Sequence, residues 1–200
     1  MIRRPTEVRS ATPDEIPQAV AAIVTAFLTD PVARFALPSP HDYLRVMPLA
    51  TREFAGASFA RGTAHVTGDF CGAALWLPPG VHADGEALER VFRDTASPEH
   101  LDDLLATFER MAQSHPDEPH WYLPMIGVEP YAQGRGLGAE LMRHAVARCD
   151  REGALAYLES SNPRNISLYL RFGFDALGVI QVGAAPVVTP MLREPLRLCR

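Results

Sequence analysis

The sequence predicts an α+β fold, and three observations indicate it. Two strand-like runs between residues 64 and 77 flank a turn at Gly68 and Asp69, a pattern typical of an antiparallel hairpin. Residues 120–160 follow the order strand, helix, strand. Helical patterns fill most of the remaining chain, and a hydrophobic content of 47% over 200 residues is enough to bury one core. We therefore expect residues 1–200 to form a single domain.

The N-terminal part of the chain is predicted to contain one short strand and two helices. Residues 8–11 are strand-like. Thr12, with Glu15 three positions later, forms a capping-box pattern, which predicts that a helix begins there and ends at the sequence "TDP". A second helix is predicted over residues 41–60, with a kink at Pro48.

Residues 81–119 are polar and helical in pattern, and we interpret them as a helical insertion on the sheet. Two helices are expected within this insertion. The second is predicted to begin at Ser97, because serine is a favourable N-cap residue and Pro98 follows it.

The strand-helix-strand unit is followed by a short helix. The segments "HWYLPMIGV" and "LAYLES" are strand-like, and "LGAELMRHAVARCDREG" between them has helical periodicity. In "NPRNISLYLRFGF", Asn162 is expected to cap a short helix that ends at Gly173. The tail segments "DALGVIQV" and "APVVTPML" are predicted to form a closing pair of strands.

Composition argues against several classes of function. A net charge of -5 argues against nucleic acid as a partner, because proteins that bind it usually carry a basic face. No window approaches the roughly 18 consecutive apolar residues of a membrane span, so we expect a cytoplasmic protein with no membrane partner. All 19 basic residues are Arg, and the absence of Lys excludes Schiff-base chemistry and a P-loop.

The three cysteines, Cys71, Cys149 and Cys199, are odd in number and lack CxxC spacing. Neither a disulfide framework nor a zinc site is predicted, and no metal is expected. Cys149 falls on the apolar stripe of a predicted helix, which favours a buried core position over a nucleophile.

Three glycines, Gly134, Gly136 and Gly138, directly precede that helix. Uncovered N–H groups at a helix start favour an anion, and phosphate is the expected one. A tight turn alone is a second interpretation. A third is a dinucleotide site, since Gly134, Gly136 and Ala139 fit G-x-G-x-x-G/A and Glu159 lies about twenty residues later. Against it, five residues separate the preceding strand from the first glycine, and only 41 residues follow Glu159.

The segment "QGRGLG" at residues 133–138 resembles the Q/R-x-x-G-x-G/A signature of the GNAT superfamily of acyl-CoA-dependent N-acetyltransferases. The segment at 162–174 resembles the second landmark of that family, with Asn162 and Tyr169 seven positions apart. Residues 120–165 look most like the puromycin N-acetyltransferase type of bacterial member. The resemblance implies a GNAT-type fold. Its central sheet is mixed, mostly antiparallel and twisted, is flanked by helices, and is splayed at the fourth and fifth strands.

The resemblance also implies acetyl-CoA as acyl-donor cosubstrate, held by a CoA-binding core at residues 120–175. The strand before the glycines would hold the pantetheine arm, and a backbone N–H near Val128 would face the thioester carbonyl. The glycine loop would bind the pyrophosphate, and Arg135 would add a positive charge. The implied cofactor-binding residues are Ile126, Gly127, Val128, Gln133, Gly134, Arg135, Gly136, Leu137, Gly138, Ala139, Asn162 and Asn165.

Tyr169 falls where the family places the residue that protonates the departing CoA thiolate. The same side chain belongs to the apolar stripe of its helix, so a core role is the alternative. Glu159, on a strand beside the expected cleft, is the first candidate for the general base that deprotonates the amine. Glu129 and His120 are alternative bases, and an ordinary structural role for all three stays open.

These features predict an acetyl-CoA-dependent N-acetyltransferase. The acetyl group would pass directly to a primary amine, without a covalent acyl-enzyme. A small-molecule amine is the acceptor that the puromycin-type resemblance implies, and a homodimer is expected from the family. Two alternatives stay open, namely transfer to a protein amine and a non-catalytic acyl-CoA-binding sensor.

Overall fold

Seven strands form a single sheet in the computed structural model, which describes residues 7–196. The strands are β1 (Val8–Ser10), β2 (Ala64–Thr67), β3 (Gly72–Leu77), β4 (His120–Val128), β5 (Leu155–Ser160), β6 (Asp175–Ala176) and β7 (Thr189–Arg193). Their order across the sheet is β1-β2-β3-β4-β5-β7-β6. β4 and β5 run parallel, and the other neighbouring pairs are antiparallel. The expected mixed, mostly antiparallel sheet is confirmed.

Eight α-helices accompany the sheet within the same residues. They are α1 (Ile16–Ala26), α2 (Pro31–Ala36), α3 (Pro40–Ala55), α4 (Ala57–Ala60), α5 (Gly85–Thr95), α6 (Leu101–Gln113), α7 (Leu137–Glu152) and α8 (Ile166–Arg171). Short 3₁₀ turns at Pro13–Glu15, Pro130–Ala132 and Pro163–Asn165 precede α1, α7 and α8. Across the described residues, no helix has both the length and the apolar character needed to cross a membrane.

Three helix predictions need correction. α2 was not predicted; it forms because the Asp30 carboxylate accepts from the N–H of Ala33 at 3.0 Å and caps the helix. The predicted helix over 41–60 is divided at Gly56 into α3 and α4. Ser97 does not begin α6, because its own N–H donates to the carbonyl of Ala36 at 3.2 Å and places it in a turn before the helix.

Helices cover both faces of the sheet because successive side chains of a strand point to opposite faces. Ala73 and Leu75 of β3 belong to a core formed with α1 and α3. Ala74 and Trp76 belong to a second core formed with α7. The hairpin of β2 and β3 is therefore buried on both sides, and both of its strands are buried along their whole length.

Cys149 lies on α7 in the second core, as predicted. Burial raises the pKa of its thiol to about 12, so the reactive thiolate is scarce at neutral pH. Cys71 is also buried and free, with its sulfur 2.9 Å from the Tyr131 hydroxyl oxygen. Cys199 lies outside the described residues.

β4 and β5 pair only along their first halves, where His120–Leu123 lies beside Leu155–Leu158. The pairing ends at Pro124, which has no N–H to donate. β4 remains paired with β3 as far as Val128. The predicted splay of the fourth and fifth strands is confirmed, and it exposes one edge of the second half of β4.

Gly127 lies where α1 packs most closely against β4. A Cβ atom at this position would be 2.4 Å from the Cβ atom of Ala26, far inside contact distance. Gly127→Ala is therefore expected to lower the free energy of unfolding by about 1–3 kcal/mol, measured by urea denaturation. Gly85→Ala is the control, because an added Cβ there meets nothing within 4 Å. Equal free energies of unfolding for the two variants would contradict the prediction.

Candidate active site

A cleft opens where β4 and β5 separate, and we call it the glycine cleft. All the cofactor-binding residues that the sequence predicts line it, with the exception of Arg135. The structure thus brings the end of β4, the start of α7 and the start of α8 together. The lining residues are Ala26, Phe27, Thr29, Asp30, Ile126, Gly127, Val128, Ala132, Gln133, Gly134, Gly136, Leu137, Gly138, Ala139, Asn162, Arg164, Asn165, Ser167, Leu168, Tyr169 and Arg171.

The backbone of β4 presents hydrogen-bonding groups to this cleft. The N–H of Glu129 donates to the carbonyl of Cys71 beside β3 at 2.8 Å. Because backbone groups alternate in direction along a strand, those of Ile126 and Val128 point away from β3 and into the cleft. The carbonyl of Val128 accepts from the Gln133 side-chain amide at 3.0 Å. The N–H of Val128 therefore faces the position where the resemblance places a thioester carbonyl.

The loop before α7 is shaped by Gly134 and Gly136, whose φ angles are 70° and 86°. Residues with a Cβ atom rarely adopt this left-handed region. The N–H of Glu140 donates to the carbonyl of Gly136 at 3.0 Å, so the N–H groups of residues 137–139 precede the first such bond of α7. These N–H groups and the positive end of a 16-residue helix line the cleft, an arrangement that suits a phosphate group.

Two arginines that the sequence analysis did not single out, Arg164 and Arg171, also line the glycine cleft. Arg164 lies inside the landmark "NPRN", which was the available signal. The guanidinium of Arg135 instead lies 5.6 Å from the ring centroid of Tyr131 and donates to the carbonyl of that residue at 2.9 Å. A contact between Arg135 and phosphate stays a prediction.

Asn162 and Asn165 line the glycine cleft on the side of α8. The Asn162 side-chain oxygen accepts from the N–H of Arg164 at 3.1 Å, so the predicted cap is confirmed. That cap uses one acceptor and leaves the amide donors of Asn162 for other partners. Their contact with a cofactor stays a prediction.

A second cavity adjoins the glycine cleft, and we call it the apolar cavity. The two share Phe27, Asp30, Ile126, Asn165 and Tyr169, so they meet at these residues. Helices α5 and α6 supply part of the wall on the side away from the junction. The further lining residues are Val32, Ala33, Ala36, Met47, Ala50, Phe54, Leu88, Phe92, Phe108, Met111, Leu123, Pro124, Met125, Leu158, Glu159, Ser161 and Val188.

Tyr169 lies at the junction of the two cavities, and its side chain is buried. Its ring meets that of Phe174 edge-on, with centroids 6.3 Å apart. Burial, and then the nearby charge of Asp30, raise the pKa of the phenol above its ordinary value. The hydroxyl therefore stays protonated at neutral pH and is available as a donor.

Glu159 lies in the wall of the apolar cavity, and only 1% of its side chain is exposed. Its Oε1 atom is 3.3 Å from His115 Nε2, which is ion-pair distance, yet within the described residues this oxygen has no hydrogen bond of good geometry. A buried carboxylate oxygen without a hydrogen bond is costly, so a cationic or hydrogen-bond-donating ligand would be favoured there.

Comparison with known proteins agrees with this architecture. The sequence profile of the acetyltransferase (GNAT) family matches residues 88–174. An uncharacterized N-acetyltransferase of Schizosaccharomyces pombe is 29% identical over 201 positions, which cover 89% of this chain and 79% of the relative. A solved structure from Corynebacterium glutamicum, described as histone acetyltransferase HPA2 and related acetyltransferase, is 25% identical with a TM-score of 0.68, covering 98% of this chain and 99% of that one. The chain is thus similar to acetyltransferases of the GNAT family, and it shares their fold.

The matched profile is that of an acetyltransferase family, and acetyl-CoA is the acyl donor of that family. A polyamine N-acetyltransferase of Drosophila melanogaster shares the fold, with a TM-score of 0.64 at 16% identity over 94% of this chain and 99% of that chain. Within residues 7–196, no three His, Cys, Asp or Glu side chains are grouped to ligate a metal ion. Independence from metal stays a prediction.

The structure separates the three candidate bases. Glu159 alone among them lines the apolar cavity. His120 lines a different cavity, and Glu129 lies at the end of β4 outside the lining of the cavities described. Their positions favour Glu159 for contact with an acceptor.

Sequence reasoning missed Asp30, which lines both the glycine cleft and the apolar cavity. Its carboxylate is buried, accepts from Ser161 Oγ at 2.6 Å and caps α2. Burial raises the pKa of this carboxyl, while the Ser161 hydroxyl and the backbone N–H groups oppose that shift. The available signal was the pair Asp30–Pro31, which is typical of a helix start.

Proposed function

We propose that this protein is an acetyltransferase of the GNAT superfamily and that it transfers the acetyl group of acetyl-CoA directly to the primary amine of a small molecule with an apolar body. The observation that carries the proposal is the junction of the glycine cleft with a cavity of mainly apolar lining. Asp30 and Glu159 are the acidic side chains of that lining, and they would attract an ammonium group. Apolar side chains such as Phe92 and Phe108 would cover the rest of the acceptor.

Acetyl-CoA supplies an activated acetyl thioester, and the residues of the glycine cleft fit it. The N–H groups of residues 137–139 and the guanidinium groups of Arg164 and Arg171 would hold phosphates. The exposed edge of β4 would pair with the amides of the pantetheine arm. The N–H of Val128 would stabilise negative charge on the thioester oxygen by roughly 3 kcal/mol.

The amine must lose a proton before it attacks. For an ammonium of pKa about 10, this costs about 4 kcal/mol at pH 7. Glu159 is the better acceptor of that proton, because both Asp30 oxygens already accept hydrogen bonds whereas Oε1 of Glu159 accepts none within the described residues. Tyr169, buried and protonated, would donate a proton to the departing thiolate.

A panel of amines tests the proposed function by following release of the CoA thiol. We expect 2-phenylethylamine, which joins a primary amine to an apolar ring, to be acetylated faster than cadaverine. Cadaverine carries a second cation, and within the described residues the apolar cavity has no carboxylates besides those of Asp30 and Glu159 to pair with it. A short basic peptide tests transfer to a protein amine. Acetyl-CoA that binds without thiol release for any amine would support the acyl-CoA sensor instead.

Tyr169→Phe is expected to lower kcat for 2-phenylethylamine by roughly 100-fold, because the general acid is lost while the buried ring is kept. Acetyl-CoA affinity, measured by calorimetry, is expected to stay within about threefold, since the phenyl ring still fills the junction. An unchanged kcat would assign Tyr169 to the core alone.

The puromycin-type acceptor, the homodimer and the cytoplasmic location stay predictions.

A further inference from the structure

A chain of two histidines leads from Glu159 to a third cavity, which we call the histidine cavity. His115 follows α6 within residues 81–119, and His120 is the first residue of β4. His115 Nε2 is 3.3 Å from Glu159 Oε1, and His115 Nδ1 is 3.0 Å from His120 Nε2. Both rings line the histidine cavity, together with His82, Asp117 and Glu118.

The far end of this chain determines the direction of every hydrogen bond in it. His120 Nδ1 lies 2.8 Å from the carbonyl oxygen of Glu118, and a carbonyl can only accept. His120 Nδ1 therefore carries the proton, and in neutral His120 the Nε2 atom is an acceptor. His115 Nδ1 must then donate to it, which leaves Nε2 of neutral His115 without a proton. Burial lowers the pKa of His120, which favours this neutral state.

The junction of the chain with Glu159 has room for one proton. When Glu159 is ionised and His115 is neutral, Glu159 Oε1 and His115 Nε2 face each other as two acceptors 3.3 Å apart. This arrangement agrees with the absence of a good hydrogen bond to Oε1 among the described residues. A proton delivered to Glu159 would join the two atoms in one hydrogen bond.

The other titratable groups around His115 are poorly suited to carry that proton onward. Tyr122 on β4 and Tyr157 on β5 both contact the His115 ring. Burial, and then the nearby Glu159, raise the pKa of both phenols, so they stay neutral. His82, Asp117 and Glu118 face the histidine cavity rather than Glu159.

We propose that His115 and His120 form a proton relay that takes the proton of the acceptor amine from Glu159 to solvent. The inference rests on the proposed function, in which Glu159 deprotonates the ammonium. The N–H bond of the ammonium breaks, Glu159 Oε1 gains the proton, and His115 Nε2 then takes it. His115 Nδ1 then passes its proton to His120 Nε2, and a water or buffer base in the histidine cavity removes the proton on His120 Nδ1 in place of its bond to Glu118. His115, whose side chain is 24% exposed, and His120 are thus positioning residues that act through Glu159.

The hydrogen-bond directions can be tested without any activity. In ¹⁵N-histidine NMR spectra at pH 8, assigned with single histidine variants, His115 and His120 are both expected as the tautomer protonated on Nδ1. A neutral His115 that carries its proton on Nε2 would overturn the relay, because Nε2 could then not accept from Glu159.

Kinetics test the relay itself, with 2-phenylethylamine as the probe. In weak buffer at pH 7.5, His115→Phe is expected to lower kcat/KM for the amine by at least about tenfold with acetyl-CoA affinity unchanged. The loss should shrink as pH rises toward the amine pKa, because more of the amine then arrives without its proton. His82→Phe, in the same cavity wall, is the matched control and is expected to retain activity.

Imidazole separates proton transfer from a structural role. Adding it to His115→Gly is expected to restore at least half of the lost kcat/KM, because the free base can enter the space beside Glu159. If the other variants fold poorly, His115→Gln replaces them, because glutamine keeps a hydrogen-bonding side chain at this position. It should show the same shift in the pH profile of kcat/KM. A wild type that acetylates no amine overturns the proposed function. An active wild type with His115 variants equal to His82→Phe, or without imidazole rescue, overturns the relay alone.

Discussion

Glu159→Gln is expected to lower kcat/KM for 2-phenylethylamine at pH 7.5 by roughly 10²–10⁴-fold, the usual range for loss of a general base. Glutamine keeps the volume and a carbonyl oxygen in a site where the side chain is 1% exposed, but it cannot take a proton. The loss should shrink at higher pH, because the fraction of neutral amine rises tenfold per unit below its pKa. Initial rates over pH 6.5–9.5 measure the effect.

Glu129→Gln is the matched control for that experiment. Glu129 was an alternative base from the sequence, and the structure places it outside the lining of the three cavities described. We expect its kcat/KM to stay within about threefold of the wild type. If Glu129→Gln shows the large loss and Glu159→Gln does not, the assignment of the base is reversed.

Gly136→Ala is expected to weaken acetyl-CoA binding by at least about tenfold in calorimetry. Alanine at φ 86° costs about 1–2 kcal/mol, and the loop can relieve that strain by rotating its N–H groups away from the glycine cleft. A tenfold loss corresponds to about 1.4 kcal/mol, which is of the same size as the strain. Because the N–H groups of residues 137–139 follow directly, a small rotation at Gly136 moves the phosphate site.

The variant Gly153→Ala separates the effect of backbone strain from an effect on acetyl-CoA binding. Gly153 ends the same helix, α7, with φ 63°, and an added Cβ at either glycine meets nothing within 4 Å. Both variants should therefore lose similar unfolding free energy in urea, about 1–2 kcal/mol. Only Gly136→Ala should change the affinity for acetyl-CoA. Equal affinities in the two variants would show that the glycine loop does not hold the cofactor.

The apolar cavity explains why the acceptor could not be inferred from a motif. Its lining comes from the segment after α1, from α2, α3, α5, α6 and α8, and from β4 and β5, which are distant in sequence. None of these segments carries polar residues at a recognisable spacing. The interpretation of residues 81–119 as a helical insertion stays a prediction. Within these residues, α5 and α6 contribute Phe92 and Phe108 to the wall of the apolar cavity.

Several features of this protein were determined by local sequence alone. Gly134, Gly136 and Gly138 predicted a tight, anion-binding start of α7, because left-handed backbone and uncovered N–H groups are local properties. Thr12 with Glu15 predicted the beginning of the first helix, and the carboxylate of Glu15 does accept from the N–H of Thr12 at 2.9 Å. These signals act over a few residues, so the sequence contains them completely.

Other features were decided by tertiary structure only. Ser97 has the residue type of a helix cap, but its contact with Ala36 across the fold places it before the helix. Asp30 and Ser161 are bonded although 131 positions separate them. His115 approaches Glu159 because its ring packs against Tyr122 and Tyr157 on the sheet face that also carries Glu159. The local sequence therefore determined the backbone of the proposed phosphate site. The groups of the proposed amine site come from distant segments, and only packing in the fold brings them within bonding distance.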